Sequence, residues 1–342
     1  MTEKWLRLSR DDQAEALEVA AARTGRPAHL LEKDIWIVWT LAAIYSSPLA
    51  CKLTFKGGTS LSKVYRIIDR FSEDIDLTYD IRELVPDLLR DRNPLPASAS
   101  QVSKITKGVR GRLPLWIEAT VKPIIEAGLA SAGLQATLTL AGKENENLIL
   151  AYPPVKTGSG YSAPTIQLEF GGRGTGEPHQ FYDVACDIAP AIDGVEFPVA
   201  KPLVMAAERT FWEKATAVHV YCLQGRLRGE RYSRHWYDLA AFAKTQHLDK
   251  AADDRELALS VAGHKSTFFA EKDASGVKLD YFEAVRGAIR LIPEGDSRTA
   301  LERDYAAMLQ DGLLSLDAPR FSEIMKACEA IQAQLNGLTQ RS

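Results

Sequence analysis

FKGGTSLSKVYRIIDRFSEDIDLTYD, from Phe55 to Asp80, decides how the rest of the chain is read. A β-like run, LTFKG, meets paired glycines and small hydroxyl residues, then a helix-like segment, SLSKVYRII, and a second β-like run, DIDLTY. Side chains alternate along a strand, so Asp74 and Asp76 share one face while Ile75 and Leu77 point to the other, toward a core. Two carboxylates that close repel and raise each other's pKa unless a cation neutralises them. Hard oxygen ligands of this kind suit Mg²⁺, which is commonly held by one or two carboxylates together with substrate phosphates. Gly57 and Gly58 let the backbone turn tightly and approach a phosphate, and Thr59 and Ser60 can cap a helix whose N-terminus favours anions. A P-loop does not account for GGTSLSK, because Lys63 lacks the preceding glycine and the spacing of GxxxxGK[ST].

Upstream, DDQAEALEVAAARTG and AHLLEKDIWIVWTLAAIYSS carry helical periodicity and predict a helical lead-in over residues 1–48. Downstream, residues 90–103 read as a loop, a helix is expected around Leu115 to Ala130, and LQATLTL, NLILAY and TIQLEF read as strands of a mixed sheet. These belong to a core over residues 49–200. From residue 201 to 342 the texture turns helical, with LVMAAERTFWEKATAVHVYC and SRHWYDLAAFAKTQ first. A third acid on a neighbouring strand would complete a two-metal site. Glu169 in TIQLEF is the candidate, since Gln167 and Glu169 share a face, and Asp187 in YDVACDIAP is the second choice.

A net charge of −3 over 342 residues removes any whole-molecule attraction to nucleic acid, so RNA contact has to come from a local patch. Two basic runs offer one: Lys104 to Arg112, with Lys104, Lys107, Arg110 and Arg112, and Arg226 to His235, with Tyr232 and Trp236 for stacking. Four scattered cysteines form no CxxC pair and the N-terminus lacks a signal-peptide core, which predicts a cytoplasmic chain with reduced thiols. The apolar run Ile35 to Tyr45 is too short to span a membrane. GGRGTGEP reads as a flexible loop, and His219 and His235 lack partners at zinc-site spacing.

The order Gly-Gly-Thr-Ser, helix, strand with Asp-x-Asp resembles the nucleotidyltransferase fold related to polymerase beta, with a somewhat long gap between the glycines and Asp74. Four blocks narrow the resemblance: LEKDIWIVWTL, FKGGTSLSKVYRIIDRFSEDIDL, RTFWEKATAVH and RYSRHWYDLAAFA. In that order they are similar to the AbiEii/AbiGii family of nucleotidyltransferase toxins, the toxin half of type IV toxin–antitoxin pairs. The resemblance implies an α+β, polymerase-beta-like fold with a mixed sheet, N-terminal helices and a C-terminal helical domain. It implies that Gly58, Thr59 and Ser60 cradle phosphate, with Gly57 and Lys63 as neighbouring nucleotide-binding candidates, and that Asp74 and Asp76 hold magnesium, two ions being expected with Glu169 as the candidate third acid. It also implies that Lys214 contacts the triphosphate and that Asp238 belongs to a C-terminal acidic motif. The implied acceptor is RNA, most plausibly the 3′ end of tRNA, and the implied partner is a winged-helix antitoxin. A protein or small-molecule acceptor is the alternative chemistry, and a noncatalytic nucleotide-binding interaction protein the alternative class. Both Lys214 and Asp238 are expected to be replaceable by alanine within about 1 kcal/mol of stability, as surface residues are.

Overall fold

The computed structural model describes every residue except 1–2, 94, 97, 159–162, 226–230, 311–312, 316 and 339–342. It divides into two compact units. The first comprises Met1–Val64, Phe71–Pro94 and Ser103–Met205; the second comprises Tyr65–Arg70, Leu95–Val102 and Ala206–Ser342.

The first unit is built on a seven-stranded mixed sheet. In chain order its strands are β1 (Leu53–Lys56), β2 (Asp74–Tyr79), β3 (Thr137–Ala141), β4 (Asn147–Ala151), β5 (Thr165–Gly171), β6 (His179–Phe181) and β7 (Leu203–Met205). They lie side by side as β3-β4-β5-β2-β1-β7-β6. The central pair, β2 and β5, is parallel, while β1 runs antiparallel to β2 and β4 antiparallel to β5. On β2 and β5 the alternation is plain: Ile75, Leu77, Ile166 and Leu168 are fully buried, and Asp74, Asp76, Gln167 and Glu169 between them are half-exposed. Polar residues survive at the middle of a sheet because one of its faces is open.

Helices α1 (Arg10–Thr24), α2 (Ala28–Tyr45), α3 (Gly57–Lys63), α4 (Ala99–Trp116) and, after one π-helical turn (Ile117–Val121), α5 (Lys122–Ala132) accompany this sheet. The π turn ends two residues before Pro123. A widened turn accommodates a ring that would otherwise clash with the preceding turn's carbonyl. Helix therefore occupies part of the segment 90–103 that reads as loop, and the basic run from Lys104 lies on α4 rather than beside it.

Helix α2 packs against α1, α5 and β5, and is buried on nearly every side. Three consecutive charged residues, Glu32, Lys33 and Asp34, are each at most 3% exposed. Successive residues on a helix point about 100° apart, so three buried charges in a row require three separate sets of partners. Glu32 accepts from the backbone N–H of Val155 (2.7 Å) and Lys156 (2.9 Å). Lys33 Nζ reaches Glu73 Oε2 (2.7 Å) and the carbonyl of Ala163 (3.1 Å). Asp34 accepts from Lys63 Nζ (2.6 Å) and from the backbone N–H of Asp187 (2.6 Å).

The second unit is helical: α6 (Ala207–Gln224), α7 (Ser233–Phe242), α8 (Gln246–Asp253), α9 (Arg255–Phe268), α10 (Gly295–Gln310) and α11 (Phe321–Leu338). Helix α7 is at its centre, packed on α6, α10 and α11. Phe211, Trp236 and Phe242 are fully buried there, and Trp236 Nε1 donates to the carbonyl of Leu291 (2.7 Å). No helix among the described residues is long and apolar enough to cross a membrane.

Candidate active site

The parallel register of β2 and β5 pairs Asp74 with Gln167 and Asp76 with Glu169, while the antiparallel register of β1 sets Lys56 opposite Asp76. Register partners stand on the same face of a sheet. Asp74, Asp76 and Glu169 therefore share the half-exposed face, with Lys56 beside Asp76 on the same face. Gln167 Nε2 donates to Glu169 Oε1 along β5, which draws that carboxylate toward its own strand. Among the described residues no three His, Cys, Asp or Glu side chains already converge as a metal cluster. The donor chemistry nonetheless fits magnesium: three carboxylates from adjacent strands, hard oxygen ligands only, on a half-exposed face.

Immediately after β1 the chain turns into α3 at Gly57, whose φ of +80° lies in the left-handed region. A Cβ added there would sit 1.9 Å from Asp76 Oδ2. Glycine is thus required twice, by the backbone angle and by the carboxylate occupying the space where a side chain would begin. The next hydroxyls are turned inward. Thr59 Oγ1 donates to the carbonyl of Asp74 (2.5 Å) and Ser60 Oγ to that of Gly57 (2.9 Å), and both residues are buried. Thr59 thereby ties α3 to the first acid of β2. Helix α3 ends at Lys63, earlier than the pattern SLSKVYRII predicts, because Tyr65–Arg70 belongs to the second unit. That detour is what lengthens the gap between the glycines and Asp74.

Lys63 and Asp187 meet at Asp34 in an ion network. Lys63 Nζ lies 2.6 Å from Asp34 and 2.8 Å from Asp187, and Asp187 also accepts from Arg26 (3.2 Å). Burial works against the Lys63 ammonium, but the two carboxylates raise its pKa overall and keep it charged. Glu169 is thus the acid that the register sets beside Asp76, whereas Asp187 is committed to a buried ion network.

In the second unit, Asp238 on α7 is fully buried and bonded on both oxygens by Arg70, Nε to Oδ1 at 2.7 Å and Nη2 to Oδ2 at 2.9 Å. Lys214 Nζ on α6 is 2.9 Å from the same Oδ2. Burial alone would raise the Asp238 carboxyl, but Arg70 and Lys214 hold it well below the usual carboxylate range. The helical spacing of Arg234 and Asp238 suggests an i,i+4 pair, yet the partners of Asp238 are Arg70 and Lys214. Arg70 is a partner of Asp238 that the sequence reading missed, since the two lie 168 positions apart along the chain. The signal available was its place in the block RIIDRFSEDIDL, where a basic residue precedes Phe71 and the acids.

Of the basic residues on α4, Lys104 and Lys107 are exposed, while Arg112 is held by Asp87 (2.5 and 2.8 Å) and Arg110 by Glu144 (3.5 Å). In the second basic run, residues 226–230 lie outside the described residues. Trp236 is a core residue and not a stacking platform, and Tyr232 packs on Tyr221.

No curated protein matches the sequence. Among solved structures, MenT4, a nucleotidyltransferase toxin from Mycobacterium tuberculosis, is similar at a TM-score of 0.44 and 18% identity, over 96% of this chain and 99% of that one. The family model described as nucleotidyl transferase AbiEii toxin, type IV toxin–antitoxin system, matches residues 39–327. With that model covering most of its length, the chain belongs to the AbiEii family of nucleotidyltransferase toxins of type IV toxin–antitoxin systems.

Proposed function

We propose that the protein transfers a nucleotide from a nucleoside triphosphate to the 3′ end of an RNA, with tRNA as the acceptor and arrested translation as the consequence. What carries this reading is the register that sets Glu169 beside Asp76, with Asp74 on the same open face, next to a glycine turn whose missing Cβ leaves room for the Asp76 carboxylate. In the transfer, the acceptor hydroxyl oxygen bonds to the α-phosphorus, the bond from that phosphorus to the bridging oxygen breaks, and pyrophosphate leaves in line. Asp74, Asp76 and Glu169 would hold two magnesium ions, which when bound lower the pKa of the attacking hydroxyl and neutralise phosphate charge. The Gly57–Gly58 turn gives phosphates close access to backbone N–H groups. Lys214 is the cation for the leaving phosphates, and Asp238, gripped by Arg70, fixes its ammonium. The partner that family membership implies is an antitoxin, in this reading a winged-helix DNA-binding protein.

The test is transfer of label. Purified protein, magnesium, each of the four α-labelled triphosphates in turn and total bacterial tRNA are expected to yield labelled RNA with at least one of the four. Label appearing instead on a protein or a small molecule would overturn the RNA acceptor and leave the transferase standing.

A further inference from the structure

A cavity of about 320 Å³ lies in the first unit between the start of α2, the end of β4 and the residues leading into β5. It is at the small end of the range for ligand sites, roughly 300–1,000 Å³, so it suits one nucleoside rather than a whole triphosphate. Its walls are held from behind. His29 and Lys33 lie one turn apart on α2, and the Lys33 side chain, 3% exposed, bridges Glu73 and the Ala163 carbonyl. Glu32 grips the backbone N–H groups of Val155 and Lys156, and Tyr152 is stacked on Trp36 with ring centroids 4.9 Å apart. At Gly158 an added Cβ would come within 2.6 Å of the His29 ring, so the loop closes on the imidazole as only glycine can.

The chemistry of the lining suits a nucleotide of single-stranded RNA. Pro164 gives exposed apolar surface at the mouth, and the buried Tyr152, stacked on Trp36, closes the floor, a setting in which an unpaired base can be received. Burial, and secondarily Lys33, lower the His29 pKa, leaving a neutral imidazole with one donor and one acceptor. Lys156 is paired with Glu18, itself largely exposed, an ion pair weak enough to yield to a phosphate. The position also matters. Glu73, held by Lys33, directly precedes Asp74, and Pro164 stands three residues before Gln167, the register partner of Asp74, or roughly 10 Å along the strands. In the sheet order β4-β5-β2-β1, the cavity lies on the β5 side of the acids and the Gly57 turn on the β1 side. If the triphosphate occupies the Gly57 side, the opposite side belongs to the acceptor.

We propose that this cavity seats one nucleoside close to the 3′ end of the acceptor RNA, with the adjoining phosphate on Lys156. The proposal rests on the nucleotidyltransferase reading and adds where the acceptor is held. The test is an anisotropy titration of the full chain with a labelled single-stranded RNA octamer, beside the affinity for nonhydrolysable triphosphate analogues of all four bases. Lys156→Ala keeps its backbone N–H for Glu32. It is expected to weaken octamer binding about fivefold and to lower the slope of log K against log salt by about 0.7, one phosphate contact on a single strand. Gly158→Leu, which fills the cavity, is expected to weaken the octamer at least tenfold. Triphosphate affinity should stay within about twofold in both variants, and Lys156→Ala, whose changed side chain is partly exposed, should melt like the parent. Octamer binding that is absent, or unchanged in Lys156→Ala, overturns the proposal, as does equal loss of triphosphate, which would make the cavity a donor site. If the octamer binds through the cavity but no triphosphate labels any RNA, the transfer reading fails while the seat stands.

Discussion

At the scale of single residues, the account turns on Gly57 and Asp238. Gly57→Ala places a methyl group against the Asp76 carboxylate and forces alanine into the left-handed region. The strain costs on the order of 1 kcal/mol, but if Asp76 acts as proposed, displacing its carboxylate costs on the order of 100-fold in rate. Transfer assays beside urea melts are expected to show that imbalance, and near-normal turnover would contradict it. Asp238 and Lys214 read from sequence as functional side chains that stability can spare; for Asp238 the structure overturns this, because the carboxylate is fully buried. Asp238→Asn removes the buried negative charge that faces Arg70 and Lys214, which is expected to cost about 3–5 kcal/mol. The sign of its pH dependence follows from a depressed pKa: the contribution is complete above the ordinary carboxylate value of 3.8 and is lost as pH falls below it. Urea melts at pH 7 and pH 3 are expected to separate parent and variant more at the higher pH. Alternation alone made Asp74 and Asp76 legible as one face; the Arg70 bond was not, because no local pattern announces a partner 168 residues away.

At the scale of elements, the parallel pairing of β2 with β5 defines the site, and Glu169→Gln tests it. The side chain is half-exposed on an open face, so stability should move by less than about 1 kcal/mol while the transfer rate falls steeply. Equal loss of both would make Glu169 structural. The strand TIQLEF was legible from period 2, and with it the shared face of Gln167 and Glu169. That it neighbours the strand of Asp74 and Asp76 was expected from the need for a third acid; the residue-by-residue register was not, since alternation along one strand does not say which residues of another stand opposite it. Helix α3 shows the opposite failure: SLSKVYRII has helical periodicity, but residues 65–70 join the second unit and the helix stops at Lys63. The Glu32-Lys33-Asp34 run was visible only as charges within an apolar helix. Its meaning comes from partners in three other segments, at Val155–Lys156, at Glu73 and at Lys63.

At the scale of the whole molecule, acid sensitivity should have a second source besides carboxylates. Burial, and secondarily Arg290, lower the pKa of His219 from 6.5 to about 4; its Nδ1 accepts from the Arg290 backbone N–H (3.0 Å). A depressed histidine stabilises the fold fully above pH 6.5 and loses that contribution as pH falls toward 4, at most about 3 kcal/mol. His235, half-buried near Lys214 and Arg234, has its pKa lowered chiefly by desolvation and adds in the same direction. The Tm is expected to fall between pH 6.5 and 4, and His219→Gln to flatten part of that fall; an unchanged slope would exclude His219 as its source. The central claim concerns the acidic face, and the most direct measurement compares parent and Asp76→Asn for label transfer from a nucleoside triphosphate to tRNA across a magnesium titration. The amide keeps the shape of the side chain and removes its charge. The account predicts magnesium-dependent transfer by the parent and loss of at least 100-fold in the variant at an unchanged Tm. Equal transfer by a normally folded Asp76→Asn would contradict it.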